Sequence, residues 1–392
     1  MSAPAQAGPY DLAIRGGWVI EPAQGLDGPA DVAILGDRIA AVGRVVGASR
    51  TVVDASQLFV SPGWIDLHVH VAHRLTRGSL DPDRDAGVAK GVTTVVDTGS
   101  CGAWNYEAFS TYVIRRAATR VLAFVNVSLP GLTVSPVHGA WAHFDQSQTV
   151  AAVEERPGEI VGVKVLASFL HCGPMDITPV KLAVQAARLS GTRVMCHLGL
   201  GPPVIDEVLD HLQEGDIVTH CWHGKGPGTI LDRLGRPIRA VRAAAERGVR
   251  FDIGHGLSSF SFATARRAMA AGLPLHSIST DLHELNLRHP VRDLATTLAK
   301  FLHLGMSLRD VIAAATNGPA RTLGLDQEIG TLRPGACADV TIFRLREGPV
   351  EYSDASGHTE RSLAGLEPVH TVRGGRLVDV AAITGTPPDP GA

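Results

Sequence analysis

Ile65-Asp-Leu-His68-Val-His70 is a short apolar run that finishes in two histidines one residue apart. Side chains alternate along a strand, so His68 and His70 project from the same face of it. The run is the first of eight with the same texture, the others finishing near Asp97, Ser128, Ser168, Gly199, Trp222, Gly256 and Asp281. Between them lie amphipathic stretches such as Tyr106–Ala118, Pro179–Leu189, Pro203–Leu212, Ile238–Arg247 and Phe262–Ala271. Apolar β-branched runs alternating with helical segments imply a parallel sheet covered on both faces. Eight such units predict an α/β fold of the (β/α)8 TIM type, a closed barrel. A doubly wound open sheet is the alternative, but it usually carries a Gly-rich phosphate loop early in the chain, and none is present.

Outside the barrel the rhythm changes to short strands and tight turns. Asp11-Leu-Ala-Ile-Arg15 precedes Gly16-Gly17, and Ala30-Asp-Val-Ala-Ile-Leu35 precedes Gly36-Asp37. The same texture returns in Asp339-Val-Thr-Ile-Phe343 and in Val369-His-Thr-Val-Arg373 before Gly374-Gly375. Residues 1–60 and 325–384 are therefore expected to combine in one small β-sandwich flanking a barrel over 61–324. The Pro- and Gly-rich stretch 385–392 reads as a disordered tail.

Composition narrows the class of function. A net charge of −3 leaves no electrostatic footprint for nucleic acid or an anionic membrane. No apolar run approaches the roughly 20 residues of a membrane helix, and the N-terminus has no signal-peptide pattern. Five cysteines, an odd number without paired spacing, suit a reducing cytosol. A small-molecule substrate is the partner this leaves, and a homo-oligomer stays open.

Chemistry enters at the C-terminal ends of the runs, the face on which barrels work. Ile160-Val-Gly-Val-Lys164-Val-Leu-Ala167 carries a lysine inside an apolar strand, where a bare ammonium pays a large desolvation penalty. It could snorkel at the strand end or sit in a buried ion pair. It could also be N6-carboxylated, since a neutral amine adds CO₂ to give a carbamate whose two oxygens can bridge two cations. Arg193-Val-Met-Cys-His197 and Asp216-Ile-Val-Thr-His220 finish in histidine, and Ser277-Ile-Ser-Thr-Asp281 in a carboxylate. Taken singly, each is as well explained by a hydrogen-bonded histidine or a helix-capping aspartate. Together, His68, His70, Lys164, His197, His220 and Asp281 place six metal-type ligands at successive strand ends. Imidazole and oxygen donors without thiolates suit two divalent ions, Zn²⁺ or a similar metal. Gly254-His255-Gly256, ending the seventh run, offers close backbone approach and an imidazole to a substrate. Ser168 and Lys225 are further candidate substrate contacts, and His73, Arg74, Asp97 and His283 weaker ones.

The order and setting of these residues resemble the amidohydrolase superfamily. Pro62-Gly-Trp-Ile-Asp-Leu-His-Val-His70 is similar to its first-strand motif, and Gly330-Thr-Leu-Arg-Pro-Gly-Ala-Cys-Ala-Asp339 to its return from the barrel. Val96-Asp-Thr-Gly-Ser-Cys-Gly102, Thr219-His-Cys-Trp-His-Gly224 and Phe251-Asp-Ile-Gly-His-Gly256 look more narrowly like its amidohydrolase/deacetylase subgroup, with acetyl-(R)-mandelate esterase-type enzymes. The resemblance implies that His68, His70 and Asp281 hold a more buried ion, and His197 and His220 a more exposed one. It implies Lys164 as the bridging carbamate and Asp281 as general base for hydrolysis of an amide or ester in a small acylated molecule. A dihydroorotase-like or hydantoinase-like cyclic amidase is the alternative. Dihydroorotase-like enzymes resemble His-x-His-x-Arg at the first strand, whereas the matching residue here is Ala72, with Arg74 two positions later. A non-catalytic barrel scaffold would be expected to have lost ligands, and all six positions are filled.

Overall fold

A computed structural model describes residues 9–134, 140–226 and 228–385. The middle of the chain forms a parallel sheet of seven strands in sequence order. They are Trp64–Val69, Val92–Gly102, Arg120–Asn126, Ile160–Ala167, Arg193–Leu198, Ile217–Thr219 and Arg250–Phe251. Nearly every residue of the first four is buried, as a sheet covered on both faces requires. Leu67, Val96, Leu122, Phe124, Met195 and Ile217 from these strands pack into one cluster with Leu323. Gly162 makes room there, because a Cβ on it would collide with the Phe124 ring.

The eighth run does not form a regular strand. It closes the ring through isolated bridges, Asp252 to Ser277 on one side and Val69 to Leu282 on the other. Asp281 N donates to His68 O at 2.7 Å, and His70 N to Leu282 O at 3.0 Å. The expected helices appear, Ile205–Asp210, Arg239–Glu246 and Phe262–Ala270 with trimmed ends and Thr178–Leu189 one residue longer at its start. Tyr106–Tyr112 is followed by a separate 3-10 turn, Ile114–Arg116, where one longer helix was expected.

The two ends of the chain share one sheet of eight strands. Phe59–Pro62 lies in its middle, parallel to Tyr10–Glu21 and antiparallel to Val340–Phe343. The expected sandwich is thus hydrogen-bonded as a single mixed sheet, because Tyr10–Glu21 pairs with three other strands. It carries a core of its own, built on Ile14, Val32, Val60, Val340 and Ile342. Its long hairpin, Val340–Ser353 with Thr359–Arg373, leans on the barrel through Glu360, which pairs with Arg266 and His303. Beyond residue 385, the tail lies outside the described residues.

Candidate active site

The six ligand-type side chains meet. Asp281 Oδ1 stands 3.1 Å from His70 Nε2 and 3.3 Å from His68 Nε2. Lys164 Nζ lies 3.4 Å from His68 Nε2. The His68 and His220 rings are 4.8 Å apart between centroids, and those of His220 and His197 4.3 Å. Ligand atoms of His68, His70 and Asp281 all fall within 4.8 Å of one another, which suits one cation. His220, His197 and Lys164 extend the cluster on the other side.

Outer partners orient the imidazoles. His68 Nδ1–H donates to Thr219 Oγ1 at 3.0 Å, and that hydroxyl donates to Asp252 Oδ2 at 2.7 Å. His220 Nδ1–H donates to Gly254 O at 2.6 Å. His70 Nδ1 lies 2.9 Å from Ser100 Oγ, whose backbone N–H is held by Asp97. Committing Nδ1 in this way leaves Nε2 facing the centre, the arrangement usual around bound metals.

Charge states fit the same reading. Burial lowers His68 and His197 well below the usual imidazole range and His220 to about 3. These rings are therefore neutral, the form that binds metal. Burial lowers Lys164 to about 8, so an appreciable neutral fraction exists near physiological pH, as carbamate formation needs. Burial works against ionisation of the Asp281 carboxyl, yet facing the imidazole cluster it lies well below the usual carboxylate range.

Two of the six candidate ligands occupy unusual backbone. His220 has φ 66° and Asp281 φ 51°, in the left-handed region that costs an ordinary residue roughly 1–2 kcal/mol. Each has a glycine packed against its side chain. A Cβ on Gly254 would collide with Thr219 Oγ1 and His220, and one on Gly256 with Asp281 Oδ2. Both glycines were expected to face substrate, and their closest approach is to the ligands instead. His255 departs further from expectation. It is fully buried, its ring stacked on Phe260 at 4.7 Å, with Nε2 2.7 Å from Lys300 Nζ and Nδ1 3.0 Å from Gly256 O. Neither nitrogen is left for a substrate.

Lys225 is half-buried within electrostatic reach of Asp281, His197 and His220. Ser168 Oγ is 2.7 Å from His171 Nδ1, and the His171 ring meets that of His197 edge-on at 5.7 Å. His171 was missed, although a histidine four residues past the end of the lysine-bearing run was a usable signal. Of the weaker candidates, Asp97 braces Val71 N and Ser100 N, and the His283 ring lies 6.3 Å from that of His70. His73 and Arg74 line a surface cleft with Tyr112 and Arg116. Cys196 and Cys221 are fully buried, as expected of core thiols.

Residues 59–378 match the amidohydrolase family. The chain belongs to that family. Among curated relatives it is 40% identical to a deacetylase of Agrobacterium fabrum over 89% of this chain and 86% of the relative. It is 36% identical to a deacetylase of Enterococcus faecalis over 94% of this chain and 99% of that one. A solved structure titled as a dihydroorotase superposes with a TM-score of 0.85 at 37% identity, covering 94% of this chain and 98% of the other. One titled as an adenine deaminase gives 0.88 at 34% identity, covering 94% and 100%. As a member of the amidohydrolase family the chain is a hydrolase, built on that family's barrel. Among the described residues, no helix is long and apolar enough to cross a membrane.

Proposed function

We propose that this amidohydrolase is a deacylase that removes a small acyl group, such as acetyl, from the nitrogen or oxygen of a small molecule, using two divalent ions. The observation that carries the reading is the Asp281 carboxylate set 3.1 and 3.3 Å from two Nε2 atoms, with Lys164 beside one of them. The deacetylase names of the curated relatives support it. His68, His70 and Asp281 would hold one ion and His197 and His220 the other, with Lys164, N6-carboxylated, between them. A donor set of imidazole and carboxylate oxygen suits Zn²⁺. When bound, such ions supply hydroxide near neutral pH and polarise a scissile carbonyl.

The chain's own groups do the rest. Asp281, ionised at the centre of the cluster, accepts the proton of the attacking water and delivers it to the departing nitrogen or oxygen. Lys225 attracts a carboxylate on the substrate, and Ser168 lines the same mouth. The free cysteines fit work in a reducing cytosol.

The solved structure titled as a dihydroorotase gives a cyclic amidase as second reading. Against it, the position where dihydroorotase-like enzymes have a carboxylate-gripping arginine is the fully buried Ala72. Elemental analysis of protein purified without chelator, with paired assays on an N-acetyl amino acid, an O-acetyl hydroxy acid and a cyclic ureide, tests both. About two ions per chain and turnover of an acetylated compound are expected. Ring opening alone would replace the deacylase reading with the cyclic one, and an ion-free chain would remove both.

A further inference from the structure

Lys300 is a charged side chain that the chemistry above leaves unused. It lies on the helix Leu294–His303, fully buried. Its Nζ donates to His255 Nε2 at 2.7 Å and to Pro290 O at 2.8 Å, and no carboxylate pairs with it among the described residues. Burial first, then the Arg292 charge, lower it to about 7 against the opposing pull of Asp354 and Asp293. A methionine would fill similar space without that penalty, so packing does not account for a lysine here.

What the lysine holds is the short segment Gly254-His255-Gly256. Its two glycines have φ 50° and 55°, and each touches an ion ligand. Gly254 also supplies the carbonyl that fixes the His220 tautomer. Two glycines around one residue make a pliant backbone, since glycine surrenders more conformational freedom on ordering than any other residue. The His255 ring is the handle by which this backbone can be gripped, clamped between Phe260 and Lys300.

We propose that Lys300 is a positioning residue for the ion ligands His220 and Asp281, acting through His255. The proposal rests on the metal-hydrolase reading of the site. Lys300 touches neither ion nor substrate. It sets the register of the Gly254–Gly256 backbone, and that backbone sets the ring plane of His220 and the approach of Asp281. The helix that carries it is held from behind by the terminal sheet, because His303 on the same helix binds Glu360 at 2.6 Å.

The test compares three metal-loaded full-length proteins, namely wild type, Lys300→Met and the double variant Lys300→Met/His255→Phe. The readings are ions retained after dialysis against a weak chelator, melting temperature, kcat and KM. Lys300→Met should bind ions about 10–100-fold more weakly, the usual consequence of losing an outer-shell partner, with kcat reduced and KM changed less than about twofold. The double variant removes both members of the Lys300–His255 bond, leaving only the Pro290 and Gly256 carbonyls without these donors, and should recover part of the melting temperature without recovering ion retention. A merely structural role would bring both back together, and that result overturns the proposal. So does wild-type ion retention in Lys300→Met. If Lys300→Met does not fold, the double variant alone decides by its ion retention. A wild-type chain that retains no ions refutes the metal-hydrolase reading itself, so the two failures are told apart.

Discussion

The two halves of the barrel mouth are built differently. Trp64–Val69, Ile160–Ala167 and Arg193–Leu198 run as strands of six to eight residues, the first with a break in register between Asp66 and Val69, and present His68, Lys164 and His197 from extended backbone. On the other side the sixth strand is three residues long, the seventh two, and the eighth run holds only by bridges. There His220 and Asp281 sit at positive φ, with Gly254 and Gly256 against them. One half shows what strand geometry gives freely. The other shows backbone bent to bring His220 and Asp281 inward, where the surrounding hydrogen bonds must hold the strain.

That contrast can be broken most severely at Asp281. Asp281→Asn keeps the shape but loses the base, so kcat should fall by about 10²–10⁴-fold with the melting temperature little changed. Steady-state turnover on an acetylated substrate checks this, and near-normal turnover with ions bound would refute the assignment. Gly256→Ala probes the bent half directly, through a side chain that would collide with Asp281 at a left-handed position. Gly158→Ala is its control, since Gly158 has φ 84° and nothing within 4 Å of an added Cβ. Both should lose about 1–2 kcal/mol in denaturant unfolding, and Gly256→Ala alone should lose activity, by more than tenfold. Equal activities would mean that the glycine is there only for its backbone.

The smallest effect belongs to the hairpin that steadies this half. The Arg266 guanidinium, with His303, holds the Glu360 carboxyl at about 2 against its ordinary 4.5. A carboxyl depressed by folding stabilises fully above its unfolded value, and that contribution disappears as pH falls through the folded one. Wild type should therefore be more stable than Glu360→Gln above about pH 4.5 and converge with it towards pH 2. Urea midpoints across that range test the sign.

Much of this was legible in the sequence, for reasons that can be named. The apolar runs pointed to a parallel sheet because burial on two faces leaves them without a polar alternation, and their number, with no early Gly-rich loop, favoured a barrel over an open sheet. His68, Lys164 and His197 were readable because strand alternation holds up to their positions. His255 was read as a substrate contact because flanking glycines allow close backbone approach, whereas its ring is buried between Phe260 and Lys300. Lys300 was invisible because its helix is buried from Leu294 to Phe301 except at Thr296, so the usual polar face does not exist. Thr219, Ser100 and Asp252 look like ordinary strand-end residues, and only their distances to imidazole nitrogens reveal what they orient.

The pairing of Ser61 with Thr341 spans 280 residues of chain. At ordinary synthesis rates, on the order of half a minute separates the emergence of the two strands from the ribosome. Until then Phe59–Pro62 has an open edge of the kind that invites association with other chains. Newborn protein should therefore depend on folding helpers most at its leading end, long before any ligand of the cluster has found its neighbours.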